Sequence, residues 1–181
     1  MRLFLAIDVP KREKNLLDQQ LDDLKKKFPN GVWVQKENFH ITLHFFGEQD
    51  DTRSIKKLIE NALFESRSFH LYSLGLDLFI HNQIVTHVNF RREKELENIV
   101  DKVRESLRSS DTKKFVPHLT IARSKISSKQ QYFSYKKNIA RVPIEVDFGV
   151  NTLYLFQTIF EGKRPSYKKV CSFSLIKQRQ F

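Results

Sequence analysis

The chain has 181 residues, of which 40% are hydrophobic and 16 are Phe, and this composition excludes an intrinsically disordered protein. Its 32 Lys and Arg outnumber 21 Asp and Glu, for a formal charge of +11, which favours phosphate-rich partners but also suits a surface kept basic for solubility. A single cysteine, Cys171, excludes an internal disulfide. A lone reduced cysteine fits a cytoplasmic protein, and no apolar run is long enough for a membrane span, so we expect no membrane attachment.

The predicted elements are hairpins interleaved with helices. Apolar residues predict strands at Arg2–Val9, Val32–Gln35, His40–Phe46, Phe69–Ile80, Ile84–Phe90, Phe115–Arg123, Val142–Phe148, Val150–Phe160 and Ser166–Lys177. Apolar stripes at helical spacing predict helices at Lys11–Phe28, Asp51–Glu65 (capped by Asp51 or Thr52), Arg91–Leu107 and Lys129–Ile139. Because short turns join many of the strands, the predicted class is α+β with largely antiparallel sheets.

Two predicted strands carry the same pattern, His-aliphatic-Thr-aliphatic, at His40-Ile41-Thr42-Leu43 and His118-Leu119-Thr120-Ile121. Side chains alternate between the faces of a strand, so His and Thr share one face while the aliphatic residues anchor a core. A helix precedes each motif and another helical segment follows it, which indicates an old duplication. We therefore expect a single domain, residues 1–181, of two pseudo-symmetric lobes whose outer helices and duplicated sheets surround a central cleft.

Two facing imidazoles suit in-line displacement at phosphorus near neutral pH. One of His40 and His118 takes a proton from the attacking water, and the other protonates the leaving oxygen. Thr42 and Thr120 are placed to donate hydrogen bonds to the phosphate oxygens, and Arg123 adds positive charge. Strict alternation puts Arg123 on the face opposite His118, so a bulge or the length of its side chain must bring it round.

Other histidines and aromatic residues have competing interpretations. His40 and His44 are four residues apart, a spacing that suits a metal pair on a helix, but the run reads as a strand. No carboxylate or cysteine cluster accompanies it in the sequence, so we expect no metal. We place His44 at the rim of the cleft. No role is assigned to His70, His81 or His87. Three aromatic residues suit base stacking, although core packing is the preferred interpretation: Trp33, Phe39 and Phe45.

The sequence resembles the two-histidine phosphoesterase superfamily, and within it the RNA 2′,3′-cyclic phosphodiesterases, once called 2′-5′ RNA ligases. The matching stretches are Met1–Asp8, Trp33–Glu48 and Phe115–Arg123, which include both His-x-Thr motifs. The resemblance implies a bilobal fold with one motif from each lobe. It also implies metal-independent hydrolysis of RNA 2′,3′-cyclic phosphate ends to 2′-phosphates, without a cofactor, with His40 as the acid and His118 as the base.

Alternatives to this activity remain at the level of sequence. The same cleft suits 2′-5′ ligation of RNA or hydrolysis of 2′-5′ linked oligonucleotides, and ligation would reverse the roles of the two histidines. A non-catalytic RNA-binding module would keep the charge, but it has no need for two titrating groups in matched positions. Nothing in the sequence demands more than a monomer, with RNA as its partner.

Overall fold

A computed structural model of the chain describes residues 1–80, 82–108, 114–125, 128–162 and 164–177. Its strands are β1 (Arg2–Asp8), β2 (Val32–Trp33), β3 (His40–Glu48), β4 (Phe69–Leu71), β5 (Ser73–Ile80), β6 (Ile84–Phe90), β7 (His118–Ser124), β8 (Phe148–Val150), β9 (Thr152–Glu161) and β10 (Arg164–Ser174). Its α-helices are α1 (Lys11–Gln20), α2 (Asp22–Lys27), α3 (Thr52–Ala62), α4 (Lys94–Ser106) and α5 (Lys129–Ile139). His81, to which the sequence assigned no role, lies outside the described residues.

Eight of these strands form two four-stranded antiparallel sheets, in the orders β10-β9-β1-β3 and β2-β7-β6-β5, and β4 and β8 form a separate antiparallel pair. Each sheet contains one of the motif strands, β3 in the first and β7 in the second. A core cluster joins buried residues of both sheets, including Leu5, Ile41, Val88 and Leu119. The predicted α+β class with antiparallel sheets and outer helices is confirmed, whereas the assignment of residues 1–181 to one domain stays a prediction.

The helices turn apolar faces to this core, and α3, α4 and α5 begin at side-chain caps. Ile55 and Ile59 of α3 are buried, and the carboxylate of Asp51 accepts a hydrogen bond from the backbone amide of Arg53. Ser128 caps α5 in the same way, so the predicted helix at Lys129–Ile139 is confirmed. None of the helices in the described part of the chain combines the length and apolar character needed to cross a membrane.

The predicted helix Lys11–Phe28 is wrong in one respect, because it divides at Leu21 into α1 and α2. The ammonium of Lys25 donates to the backbone carbonyl of Asp18 and pairs with the Asp18 carboxylate. A side chain thus provides Asp18 with a partner where the regular backbone ladder is interrupted. Both segments still bury the expected apolar stripe, since Leu17, Leu21 and Leu24 are at most 4% exposed.

The predicted strands Phe69–Ile80 and Val142–Phe148 are also wrong in extent, for one shared reason. The first divides into β4 and β5, which belong to different sheets, and only Phe148 of the second is in a strand, β8. The Ser73 hydroxyl donates to Asp147 and accepts from the amide of Val146, while the Gln20 side chain binds both backbone groups of Glu145. Side chains have replaced a backbone ladder here, and Pro143 has no amide to offer one.

A buried hydrogen bond ties α5 to the second sheet and allows a test of the packing. The hydroxyls of Thr86 and Tyr135 lie 2.7 Å apart, and these residues are 0% and 3% exposed. Tyr135→Phe should lower the free energy of unfolding by about 1–3 kcal/mol in a urea titration, because it leaves the Thr86 hydroxyl buried without a partner.

The matched control for this substitution is Tyr132→Phe, in the same helix but outside this hydrogen bond, which should change stability little. The double variant Thr86→Val/Tyr135→Phe removes both hydroxyls and should recover part of the loss. The single variant Thr86→Val completes the cycle. If the double variant lost as much free energy of unfolding as the two single variants together, this account would be contradicted.

Candidate active site

The first motif projects from β3 as the sequence predicts. In the register with β1, His40 lies opposite Asp8 and Thr42 lies opposite Ala6, so these four side chains share one face. Between them Ile41 is 0% exposed and belongs to the core. His40 and Thr42 are both partly exposed, which leaves them accessible from the face that looks away from the core.

The second motif repeats this arrangement in β7. His118 lies opposite Asn89 of β6, and Thr120 lies opposite His87, so these side chains share a face of the second sheet. Leu119, between them, is 0% exposed. The predicted division of each motif into an accessible His-Thr face and a buried aliphatic face is therefore confirmed in both sheets.

A β-bulge in the second motif strand redirects Arg123. Thr120 and Ala122 pair with consecutive residues of β6, so Ile121 is the extra residue. The insertion reverses the alternation, because Ile121 and Ala122 are both 0% exposed while Arg123 points out on the face of His118. The sequence left a bulge or the side-chain length as the explanation for Arg123, and the structure has the bulge.

A bulge in β3 has the opposite effect on His44. Thr42 and His44 pair with consecutive residues of β1, and His44 comes to lie opposite Leu5, a core residue that is 0% exposed. Its ring contacts Phe46, with centroids 5.0 Å apart. His40 and His44 therefore lie on different faces, so the alternative of a metal pair is wrong and His44 is not at the rim of the cleft. Across the described residues, no group of three or more His, Cys, Asp and Glu side chains is arranged to hold a metal ion.

The two motifs meet because β3 and β7 are in contact where the sheets adjoin. Burial is the largest cause that lowers the pKa of His40 and raises that of Tyr167 in β10, and smaller effects come from the charge of His118, which lowers the pKa of His40, and from the charge of Arg123, which lowers that of Tyr167. The Tyr167 ring is itself 4.9 Å from that of His40, centroid to centroid. The structure thus brings both histidines and Arg123 to one cleft, and it adds Tyr167, which the sequence analysis missed.

Each imidazole is oriented by a backbone carbonyl two residues upstream. Nδ1 of His40 donates to the carbonyl oxygen of Asn38 at 2.6 Å, and Nδ1 of His118 donates to that of Val116 at 2.8 Å. A carbonyl oxygen only accepts, so the proton is on Nδ1 in both neutral rings. The Nε2 atoms are left to exchange protons with a substrate.

An ion-pair network surrounds His40. Both Lys14 and Lys169 contact the Asp8 carboxylate at 2.6 Å, and Asp8 lies opposite His40 in the sheet. Burial is the main cause that lowers the pKa of His40, and the positive charge of Lys14 lowers it further. The hydrogen bond to Asn38 and the negative charge of Asp8 act the other way and favour the protonated ring.

His118 has no carboxylate among the causes that shift its pKa. Burial lowers the pKa first, the hydrogen bond to Val116 raises it, and the charge of Arg123 lowers it again. His118 is therefore held neutral near pH 7, which is the state that a general base requires. The two histidines have matched geometry but different electrostatic surroundings.

Aromatic rings form the floor of the cleft on the first sheet. Phe4 is 1% exposed and its ring lies 5.0 Å from His40, 5.3 Å from Phe156 and 5.2 Å from Tyr167. Its neighbour Phe45, 5.7 Å away, is 68% exposed. The sequence analysis predicted only a strand here, and the signal that both of its faces are covered was the uninterrupted apolar run Leu3–Ile7.

Core packing, the interpretation preferred for three aromatic residues, holds for two of them. Phe39 is 1% exposed, and Trp33 packs against the core while its Nε1 donates to the carbonyl of Phe28. For Phe45 the preference is wrong, because the second β3 bulge, at Phe46, aligns Phe45 with Phe4 on the cleft face. Phe45 is thus the aromatic side chain of the three that is available for stacking.

The pKa shifts give a test that needs no assay of activity. Burial lowers the pKa of both His40 and His118, so each ring should become protonated only at a pH below the ordinary histidine value of about 6.5. NMR titration of the imidazole resonances, assigned with His40→Ala and His118→Ala, measures both midpoints. A midpoint at or above that value for either histidine would contradict the electrostatics described above.

Comparison with known proteins gives consistent matches over nearly the whole chain. Residues 14–158 match the model of the 2′-5′ RNA ligase superfamily. The RNA 2′,3′-cyclic phosphodiesterase of Thermotoga maritima is 28% identical over 93% of this chain and 92% of its own, and that of Methanocaldococcus jannaschii is 29% identical over 94% and 98%. The crystal structure of TT0787 of Thermus thermophilus superposes with a TM-score of 0.76 at 22% identity, covering 99% of this chain and 100% of that one, which shows a shared fold.

Proposed function

Because the chain belongs to the 2′-5′ RNA ligase superfamily, we propose that it hydrolyses RNA 2′,3′-cyclic phosphate ends to 2′-phosphates. The observation that carries the proposal is the meeting of two His-x-Thr strands, each with its imidazole oriented through Nδ1. Relatives that match nearly full length are RNA 2′,3′-cyclic phosphodiesterases. A binding module would have no use for two imidazoles whose Nε2 atoms are both left free for proton transfer.

The reaction is an in-line displacement in which atoms and protons balance. Water attacks phosphorus while its proton passes to Nε2 of His118, the bond from phosphorus to the 3′ oxygen breaks, and Nε2 of His40 donates a proton to that oxygen. The hydroxyls of Thr42 and Thr120 donate hydrogen bonds to the non-bridging oxygens, and Arg123 compensates their charge. The two histidines carry out both proton transfers, so we propose that the reaction requires no metal.

The surroundings of the two histidines support His40 as the acid. Asp8 lies opposite His40 and favours its charged form, against a larger opposing effect of Lys14, whereas the one charge that shifts the pKa of His118 among the described residues, Arg123, favours its neutral form. A bound phosphate adds a negative charge beside His40, which raises its pKa toward the protonated state that an acid needs. Ligation through a 2′-5′ bond would run the same proton transfers in reverse.

The product and the metal requirement can be tested together. Purified protein should convert a nucleoside 2′,3′-cyclic phosphate to the 2′-phosphate alone, at the same rate with and without EDTA, because His40 protonates the 3′ oxygen and no metal takes part. Chromatography of the two isomeric products measures the outcome. Exclusive 3′-phosphate would contradict the leaving group, and loss of activity on chelation would contradict the metal-independent mechanism.

The acid and base can be distinguished by pH profiles. His40→Ala and His118→Ala should each lower kcat by roughly 10²–10⁴-fold, the range that general acid–base groups supply. The residual activity of His118→Ala should lose the rise on the acidic side of the profile, and that of His40→Ala should lose the fall on the basic side. His70→Ala, in β4, is the control and should match wild type. If His118→Ala instead lost the fall on the basic side and His40→Ala the rise on the acidic side, His118 would be the acid and His40 the base.

The bulge at Ile121 makes the role of Arg123 testable. Arg123→Gln should raise KM and lower kcat/KM by about 10–100-fold, because one charge-assisted contact to phosphate is worth roughly 1.5–3 kcal/mol. Lys125→Gln, just beyond β7, gives the same loss of formal charge and is the matched control. Equal effects of the two substitutions on kcat/KM would mean that only net charge matters.

A further inference from the structure

A third histidine lies in the same cleft face of the second sheet. His87 of β6 is opposite Thr120 in the register, which places it beside His118. The His87 and His118 rings are 5.5 Å apart and inclined by 76°. Phe79 stacks on His87 at 4.0 Å and meets the edge of His118 at 4.9 Å, so the two imidazoles share one aromatic wall.

His87 is buried without full hydrogen bonding. It is 1% exposed, and its Nε2 has no hydrogen-bond partner among the described residues. Its Nδ1 lies 3.4 Å from the carbonyl oxygen of Val85, again two residues upstream. The proton therefore resides on Nδ1 and Nε2 carries a lone pair, as in His118. Burial is the main cause that lowers the pKa of His87, and the charge of His118 lowers it further; the hydrogen bond to Val85 and the charge of Asp77 act the other way, but the net shift is downward, so the ring is neutral near pH 7.

Packing alone does not account for a histidine at this position. A buried acceptor without a partner costs about 1–3 kcal/mol, whereas a phenylalanine would stack on Phe79 with no such cost. Asp77 lies opposite His87 in β5, but its carboxylate accepts from the amide of Leu78. The lone pair of Nε2 is therefore unpaired but buried, so a water molecule can bind it only when the neighbouring rings move apart.

We propose that His87 positions the attacking water beside His118. One water molecule bridges the two rings and donates one hydrogen to Nε2 of each, which turns its oxygen lone pairs toward the phosphorus. In the reaction the proton shared with His118 is transferred to that residue, and the proton shared with His87 stays with the oxygen as the new P–OH group. His87 neither accepts nor releases a proton in this step, so it is a positioning residue.

This inference rests on the proposed hydrolysis and narrows it. Two acceptors at a fixed separation select a nucleophile that has two hydrogens to donate, which water has and a ribose hydroxyl lacks. The pair therefore favours hydrolysis over ligation within the same cleft. The residue that causes this preference for hydrolysis, His87, lies in β6, outside both His-x-Thr motifs.

The test compares His87→Phe with His87→Gln on a nucleoside 2′,3′-cyclic phosphate. Phe keeps the ring stacked on Phe79 but removes Nε2, so kcat should fall about tenfold or more while KM stays within about twofold of wild type. The amide of Gln reaches the position of Nε2 and should restore part of kcat. His70→Phe, an exposed histidine of β4, serves as the control and should leave both constants unchanged.

Thermal unfolding separates this role from a structural one. The melting temperature of His87→Phe should equal or exceed that of wild type, because an unpaired buried acceptor is replaced by an apolar ring. A wild-type kcat in His87→Phe would overturn the proposal. So would a result in which His87→Phe and His87→Gln lose the same amount of kcat and the same amount of melting temperature. An inactive wild type would instead overturn the proposed hydrolysis, on which the role of His87 depends.

Discussion

The chemistry of the cleft depends on one repeated interaction, the hydrogen bond from Nδ1 of each imidazole to the carbonyl oxygen two residues upstream. It fixes the tautomer and aims Nε2 away from the backbone. The two carbonyls are held in different ways. Val116 precedes Pro117, which restricts it to an extended conformation, whereas Asn38 ends a 3₁₀ turn and is tied by its side-chain amide to the carbonyl of Pro165.

Strand alternation was enough to predict which motif side chains face the cleft, but it was not enough to predict where the alternation changes. The bulges at Leu43 and Ile121 depend on pairing with β1 and β6, and a single strand contains no information about its partner's register. The consequences for His44 and Arg123 are opposite, since one leaves the cleft face and the other joins it. A motif read without its neighbouring strands therefore predicts the correct face for its first four side chains, but it does not predict the face of the residues after the bulge.

The remaining misjudged segments share a physical cause. Predicted strands failed at Phe69–Ile80 and Val142–Phe148 because polar side chains took over the backbone hydrogen bonds, as Ser73 does with Asp147 across 74 residues of sequence. Such long-range partners leave no local periodicity to read. Asp8 and Tyr167 were missed for the same reason, because their place beside His40 follows from sheet pairing and not from any motif.

The protonation of the imidazoles in the cleft depends on whether a phosphate is bound there. Arg123, Lys14 and Lys169 bring positive charge to one region in which Asp8 is the carboxylate that pairs with both lysines. Burial and this charge keep the imidazoles neutral in the free protein, which suits a base but not an acid. A phosphate anion bound in the cleft would offset this positive charge and raise the pKa of both imidazoles. Under the proposed mechanism, the charge of the substrate would therefore favour the protonated imidazole that an acid requires and that the free protein lacks.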